Sequence, residues 1–274
     1  MKNKGIRLEG EIVVMKKTYG LMVFLLFFSF IFSSCNITGG SGVNYVPHGP
    51  YAYTTNIGDN TVSVIDTTTN TVVATVAVGS GPYAVAVNPT GTRVYVANTS
   101  DDTVSVIHAA TNTVIATVPV GVAPSGVAVN SDGTRVYVAN EGDSVSVIDT
   151  ATNTVVATIG GFLGWFGAAG GIAVSPSGTM LYLNGQYESR VYAVDTSTNS
   201  VVARIPVEPD PIGVAVTPDG TRLYVTSPYI VGVSGYENIV SVIDTATNNV
   251  VTTIAVGSGP YGISIGPVIG LPRH

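Results

Sequence analysis

Residue types that commonly do chemistry are sparse in this 274-residue chain and poorly grouped. The three histidines, His48, His108 and His274, share no short metal-ligand spacing, and no serine occupies a nucleophile-elbow turn. The lone cysteine, Cys35, excludes an internal disulfide. Acidic side chains are better placed for structure than for catalysis. Asp66, Asp149, Asp195 and Asp244 each precede a Thr-x-Thr-Asn turn, where a carboxylate accepts backbone N–H bonds. His108 takes the same slot once and reads as a substitution rather than a ligand. These residues predict no catalytic group, no metal site and no cofactor, and hence a protein that is not an enzyme.

Aromatic side chains are the stronger candidates, because Trp and Tyr are favoured anchors at binding surfaces. The segment GGFLGWFGAAGG, residues 160–171, carries Phe162, Leu163, Phe166 and the single tryptophan, Trp165. The segment SPYIVGVSGYEN, residues 227–238, carries Tyr229, Ile230, Val231 and Tyr236, and Tyr187 lies between these two stretches. Tyr83 and Tyr261 form a separate pair that could line an axial pocket, or else simply pack between structural units. Acids gather in the same kinds of loop: Asp59, Asp101, Asp102, Glu141, Asp143, Glu188, Glu237, Glu208 and Asp210. Solvated charge is their default reading, since no EF-hand-like spacing supports a calcium site.

What positions these residues is a repeat. The eight residues GTRVYVAN occur at 91–98 and again at 133–140. Tyr-x-x-Asn and its variants begin at Tyr53, Tyr95, Tyr137, Tyr182 and Tyr224, spaced by 42, 42, 45 and 42 residues. Val-Ser-Val-Ile-Asp and Thr-Asn-x-Val follow in the same order within every unit, so the chain is a repeat protein. Each unit contains four short runs with apolar side chains on alternate positions, as in YAVAV, RVYVA, TVSVI and TVIATV. That period of two is the pattern of strands with a buried face. Gly91, Gly133, Gly178 and Gly220 fall in one turn slot that calls for positive φ, and the Asn of Thr-Asn-x-Val tolerates the same conformation.

A four-stranded meander cannot bury both of its faces alone, so the units must stack. The repeating region accommodates five units of about 42 residues, whereas seven would exceed the chain. The expected fold is all-β: a five-bladed β-propeller with four antiparallel strands per blade. Its first blade lacks a first strand. The C-terminal stretch GPYGISIGP, residues 259–267, would supply that strand and close the ring. In such a fold, loops joining second to third strands emerge on the same face as loops joining blades. Both aromatic insertions then decorate one side.

The Tyr-x-x-Asn and Val-Ser-Val-Ile-Asp markers resemble the YVTN family of β-propeller repeats, also found in surface-layer-like proteins. The resemblance covers about four-fifths of the chain. It implies the propeller fold and an extracytoplasmic setting, and it names no ligand, because propellers host binding modules, lactonases, quinoproteins and scaffolds alike. Many relatives carry seven units, so five leaves open a truncated or self-associating ring.

The N-terminus reads as an export signal. LMVFLLFFSFIF, residues 21–32, follows Lys16 and Lys17 and precedes Ser33, Ser34 and Cys35. It is shorter than the roughly 20 residues that span a bilayer. Met15-Lys16-Lys17 would open a compact signal by itself, making residues 1–14 an upstream extension. Phe-Ser-Ser-Cys resembles a lipobox, with Phe32 in place of the usual leucine, so Cys35 is the expected lipidation site. The predicted layout is a signal over 1–34, an anchor and flexible tether over 35–46, the propeller over 47–267 and a tail over 268–274.

Beyond Cys35 there are six arginines, no lysine and fifteen acids, a net charge of −9. Such a surface repels phosphate backbones, which excludes non-specific nucleic-acid binding. The sequence therefore predicts an exported, membrane-anchored lipoprotein facing the periplasm or cell exterior. It would touch the membrane through the lipid alone and bind a protein or glycan of the cell envelope with one loop-bearing face. Two alternatives stay open: a propeller enzyme, lactonase-like or quinone-dependent, and a purely structural surface coat.

Overall fold

A computed structural model describes residues 50–162, 171–228 and 238–265. Cys35, Leu163, Trp165, Phe166, Tyr229, Ile230, Val231, Tyr236 and the signal and tether regions lie outside the described residues.

Nineteen strands build five antiparallel sheets among the described residues. The first sheet holds β1 (Tyr51–Asn56), β2 (Thr61–Asp66) and β3 (Thr71–Ala77). The second holds β4 (Pro82–Val87), β5 (Arg93–Asn98), β6 (Thr103–His108) and β7 (Thr113–Pro119). In the third are β8 (Pro124–Val129), β9 (Arg135–Asn140), β10 (Ser144–Asp149) and β11 (Thr154–Ile159). The fourth comprises β12 (Ile172–Val174), β13 (Met180–Gly185), β14 (Arg190–Asp195) and β15 (Ser200–Pro206), with a 3₁₀ turn at Gln186–Glu188. The fifth comprises β16 (Val214–Val216), β17 (Arg222–Ser227), β18 (Ile239–Asp244) and β19 (Asn249–Ala255). Within every sheet the strands pair in chain order.

The turn chemistry matches the residue types. Asn70, Asn112, Asn153, Asn199 and Asn248 all have positive φ, as do Gly91, Gly133, Gly178 and Gly220. The Asp149 carboxylate accepts the N–H groups of Ala151 and Thr152, and Asp66, Asp195 and Asp244 do the same for their own turns. These acids are therefore turn caps. Asp149 and Asp244 also pair with Arg135 and Arg222 on the neighbouring strand. In the second sheet Arg93 faces His108 instead, and its Nη1 is buried without a hydrogen-bond partner.

Each sheet packs on the next. One apolar cluster joins Val62, Val64 and Val76 to Val94, Val96 and Ile107 across the first and second sheets. Three more clusters fill the second-to-third, third-to-fourth and fourth-to-fifth seams. The innermost strands present, β1 (by its sequence the second strand of its unit), β4, β8, β12 and β16, lie beside one another in that order.

Side-chain bonds from the Tyr-x-x-Asn strands reach the inner segment of the unit that follows. Thr55 Oγ1 donates to the Tyr83 carbonyl at 2.9 Å, Asn184 Nδ2 to the Pro211 carbonyl at 2.6 Å, and Thr226 Oγ1 to the Tyr261 carbonyl at 2.8 Å. Asn184 and Thr226 sit two residues after their repeat tyrosines, as Thr55 does. The Asn shift in the fourth unit thus serves a different bond from that of Asn98, whose amide donates to Thr103 and Ser105 within its own sheet.

Among the described residues the expected closing strand is not formed. The first sheet has three strands, and residues 260–265 belong to no strand. Their N-terminal part does reach the slot after the fifth sheet, where the Tyr261 carbonyl accepts from Thr226. Among the described residues no apolar cluster joins the fifth sheet to the first.

Candidate functional site

Loops joining sheets and loops joining second to third strands occupy the same side of the molecule, tied together by hydrogen bonds. The Gly81 N–H donates to Asn60 Oδ1, the Ser80 N–H to Asp101, the Ala123 N–H to Asp102, and the Gly259 N–H to Asn238. Asp101 and Asp102 therefore spend part of their charge organising backbone. No group of three or more His, Cys, Asp or Glu side chains with metal-binding geometry occurs among the described residues.

This loop face contains a cleft of about 170 Å³ over the first three sheets. Ile57, Gly81, Tyr83, Thr99, Ser100, Ser125 and Glu141 line it. Each arrives from a loop or strand end: Ile57, Thr99, Ser100 and Glu141 from the loops after second strands, and Tyr83 and Ser125 from the starts of inner strands. Gly81 has φ +67°, and a Cβ there would meet the Ser100 hydroxyl at 2.5 Å, so a larger residue would narrow the cleft. Ser125 is buried, and its Oγ has no hydrogen-bond partner. Burial raises the Glu141 carboxyl above its ordinary range. The Tyr83 phenol is raised too, first by burial and then by the nearby Tyr261 and Glu141.

Tyr83 and Tyr261 thus come within electrostatic reach of each other, although they belong to the second sheet and the C-terminal segment. Tyr83 is half-buried and Tyr261 is 51% exposed. Sequence reasoning reached both tyrosines but missed Glu141 as a lining residue and Ser125 as an unpaired hydroxyl. Ser125 follows the first inner proline just as Tyr83 does, which is the signal that placed it near the same end of the strand.

The aromatic candidates divide. Phe162 is only 6% exposed and meets Tyr192 edge-on, with ring centroids 5.1 Å apart. It belongs to the core between the third and fourth sheets rather than to a contact surface, because burying a phenyl ring there outweighs displaying it. The surroundings explain the choice. Arg204 lies over the Tyr192 ring at 5.9 Å and donates to the Gly161 carbonyl, while the Tyr192 hydroxyl donates to Glu188. This arrangement fixes where the 160–171 insertion departs. Tyr187, at 70% exposure, stands in the 3₁₀ turn on the loop face.

A family model, the choice-of-anchor I domain, matches residues 43–161. The solved structure of Kuenenia stuttgartiensis hydrazine synthase is similar at 29% identity and a TM-score of 0.64, covering 73% of this chain. The chain spans 61% of the length of that hydrazine synthase chain. Matching structures number 1671 chains, so the likeness speaks for architecture more than for chemistry. No curated protein matches the sequence. The choice-of-anchor match supports a surface-associated protein of β-propeller-like build.

Proposed function

We propose that this chain is an exported, non-catalytic binding scaffold whose five sheets are consecutive blades of a β-propeller and whose loop-face cleft receives a glycan of the cell envelope. The YVTN-like repeat and the choice-of-anchor match support the architecture and the surface setting. Cys35, placed after the apolar run, carries the lipid that holds the chain to the membrane. Tyr187 stands exposed on the loop face as part of a secondary contact surface, to which Trp165, Phe166, Tyr229 and Tyr236 are assigned from the sequence alone.

One observation carries the ligand class: the buried Ser125 hydroxyl, unpaired, in a cleft shared with an aromatic face at Tyr83 and a carboxylate at Glu141. A buried hydroxyl without a partner costs about 1–3 kcal/mol, a deficit that a ligand hydroxyl would remove. Sugars offer hydroxyls for Ser125 and Glu141 and apolar C–H faces for a tyrosine ring. The volume suits one ring of a longer chain.

The test is calorimetric titration of the purified protein with a panel of envelope oligosaccharides. Saccharide binding that weakens at least tenfold in both Tyr83→Ala and Glu141→Gln supports the assignment. Absence of saccharide binding, or binding indifferent to both substitutions in folded protein, overturns it.

A further inference from the structure

The cleft over the first three sheets sits among charges of one sign. The loops that build this part of the face are residues 57–60, 78–81, 99–102, 120–123 and 141–143. They hold Asp59, Asp101, Asp102, Glu141 and Asp143, and no Arg, Lys or His. A concave site walled by one sign of charge concentrates ions of the other.

The described cations are either engaged or distant. Arg135 and Arg222 pair with Asp149 and Asp244, and Arg93 faces His108. Those contacts lie at the starts of β5, β9 and β17, the strand ends remote from the loop face. A strand of that length separates them from the cleft by about 17 Å. Arg190 pairs with Glu188, and Arg204 covers the Tyr192 ring, both on the fourth sheet. Glu141 enters no ion pair among the described residues. Burial lifts its carboxyl above the ordinary range, and no cation offsets the effect.

Acidic loops alone would be solvated charge, but a second feature points to a ligand. Ser125 is 3% exposed, its Oγ has no hydrogen-bond partner, and it lines the same cleft as Glu141 and Tyr83. A protonated amine carries three N–H donors and no acceptor, so both Glu141 and Ser125 Oγ suit it as acceptors. An aromatic face attracts such a cation within about 6 Å. A metal ion fits less well, because no three acids converge with metal-binding geometry among the described residues. Asp101 and Asp102 are held by the N–H groups of Ser80 and Ala123, so they add field rather than contact.

We propose that the glycan received in this cleft is cationic: a sugar ring with a free, protonated amine directed at Glu141 and Ser125, its C–H face on Tyr83. The proposal rests on the glycan reading of the same cleft and narrows it from any envelope sugar to a de-N-acetylated amino sugar. N-acetylation would remove the charge that the acidic loops attract.

The test compares two oligosaccharides of one backbone, a glucosamine oligomer and its fully N-acetylated counterpart. Each is titrated calorimetrically into the purified full-length chain in a non-ionic detergent, in weakly acidic buffer that protonates the sugar amines. The free-amine form should bind about tenfold tighter or more, and added salt should shrink that preference. Glu141→Gln removes the charge, keeps the side-chain shape and should bring the two affinities together. Equal or reversed affinities in the wild type, or a preference that persists in folded Glu141→Gln, overturn the inference and leave the glycan reading standing. Binding of neither oligomer overturns it as well, and the wider saccharide panel then decides whether the glycan reading falls too. Capture of an oligolysine peptide but not of the amino sugar also overturns it, assigning the acidic face to a basic protein segment.

Discussion

The Thr226 hydroxyl donates to the Tyr261 carbonyl at 2.8 Å, repeating the bond that Thr55 makes to the Tyr83 carbonyl at 2.9 Å. Both tyrosines end an identical heptapeptide, AVGSGPY, at 77–83 and 255–261. The C-terminal segment is therefore held in the place of an inner strand before it has any strand to pair with. Thr226 is 2% exposed and also accepts the Gly213 N–H at 2.8 Å. Thr226→Val keeps the shape but leaves that buried N–H unpaired. It should lower unfolding stability by about 1–3 kcal/mol in urea titration, and amides near residue 261 should exchange faster.

His108 stands where the other sheets place aspartate, and it leaves Arg93 Nη1 buried without a partner. His108→Asp should supply both the turn cap seen at Asp149 and a partner for Arg93. The expected gain is about 1 kcal/mol, read as a rise in the urea midpoint with an unchanged slope. A loss of stability would show that His108 holds its turn through Thr111, at 3.1 Å from Nδ1, better than a carboxylate can.

Acid should weaken the fold in a defined window. The hydroxyl of Thr217, followed by the N–H and hydroxyl of Thr221, lowers the Asp219 carboxyl from 3.8 to about 2. Asp149, Asp195 and Asp244 are lowered too, chiefly by hydrogen bonds within their turns. A carboxyl depressed by folding stabilises the native state above its unfolded value. That contribution disappears as pH falls through the folded value. The urea midpoint should accordingly hold down to about pH 4 and decline toward pH 2. Asp219→Asn should make that decline shallower, and a midpoint independent of pH would contradict the assignment.

Phe162 and Trp165 should behave oppositely although only two residues separate them. Phe162→Ala removes a buried ring set edge-on against Tyr192 and should cost about 3–5 kcal/mol of stability. Trp165→Ser should change stability by less than about 0.5 kcal/mol while reducing capture of the envelope partner by intact cells. Full capture with normal folding would remove the 160–171 insertion from the contact surface.

Much of the architecture could be read from the chain because its signals are local. Alternation in RVYVAN marks a strand, and positive φ at Asn112 and Gly133 follows directly from the residue types chosen there. Caps such as Asp149 are equally local. The closing of the row is different, since it depends on rotation accumulated over five sheets. A β-bulge recurs in each sheet, between Val64 and Ile65, Val106 and Ile107, and at the equivalent pairs beyond, and each one adds twist. No residue type announces that total. Phe162 misled for a related reason: a glycine-rich neighbourhood suggests an exposed loop, and only the Tyr192 ring brought in by β14 makes the position a core. The Ser125 hydroxyl escaped notice because its lack of a partner is a property of the surroundings, not of the serine.

Every sheet leans only on those beside it, so resistance to unfolding must pass along a row. Opening the third sheet breaks two seams, whereas opening the first or fifth breaks one. Deuterium uptake should then grade outward from a slow centre at β9–β14 to quick ends at β1–β3 and β19. A chain pulled by its N-terminus would peel like a strip of linked stamps, surrendering one panel at a time and re-forming from whatever panels still stand.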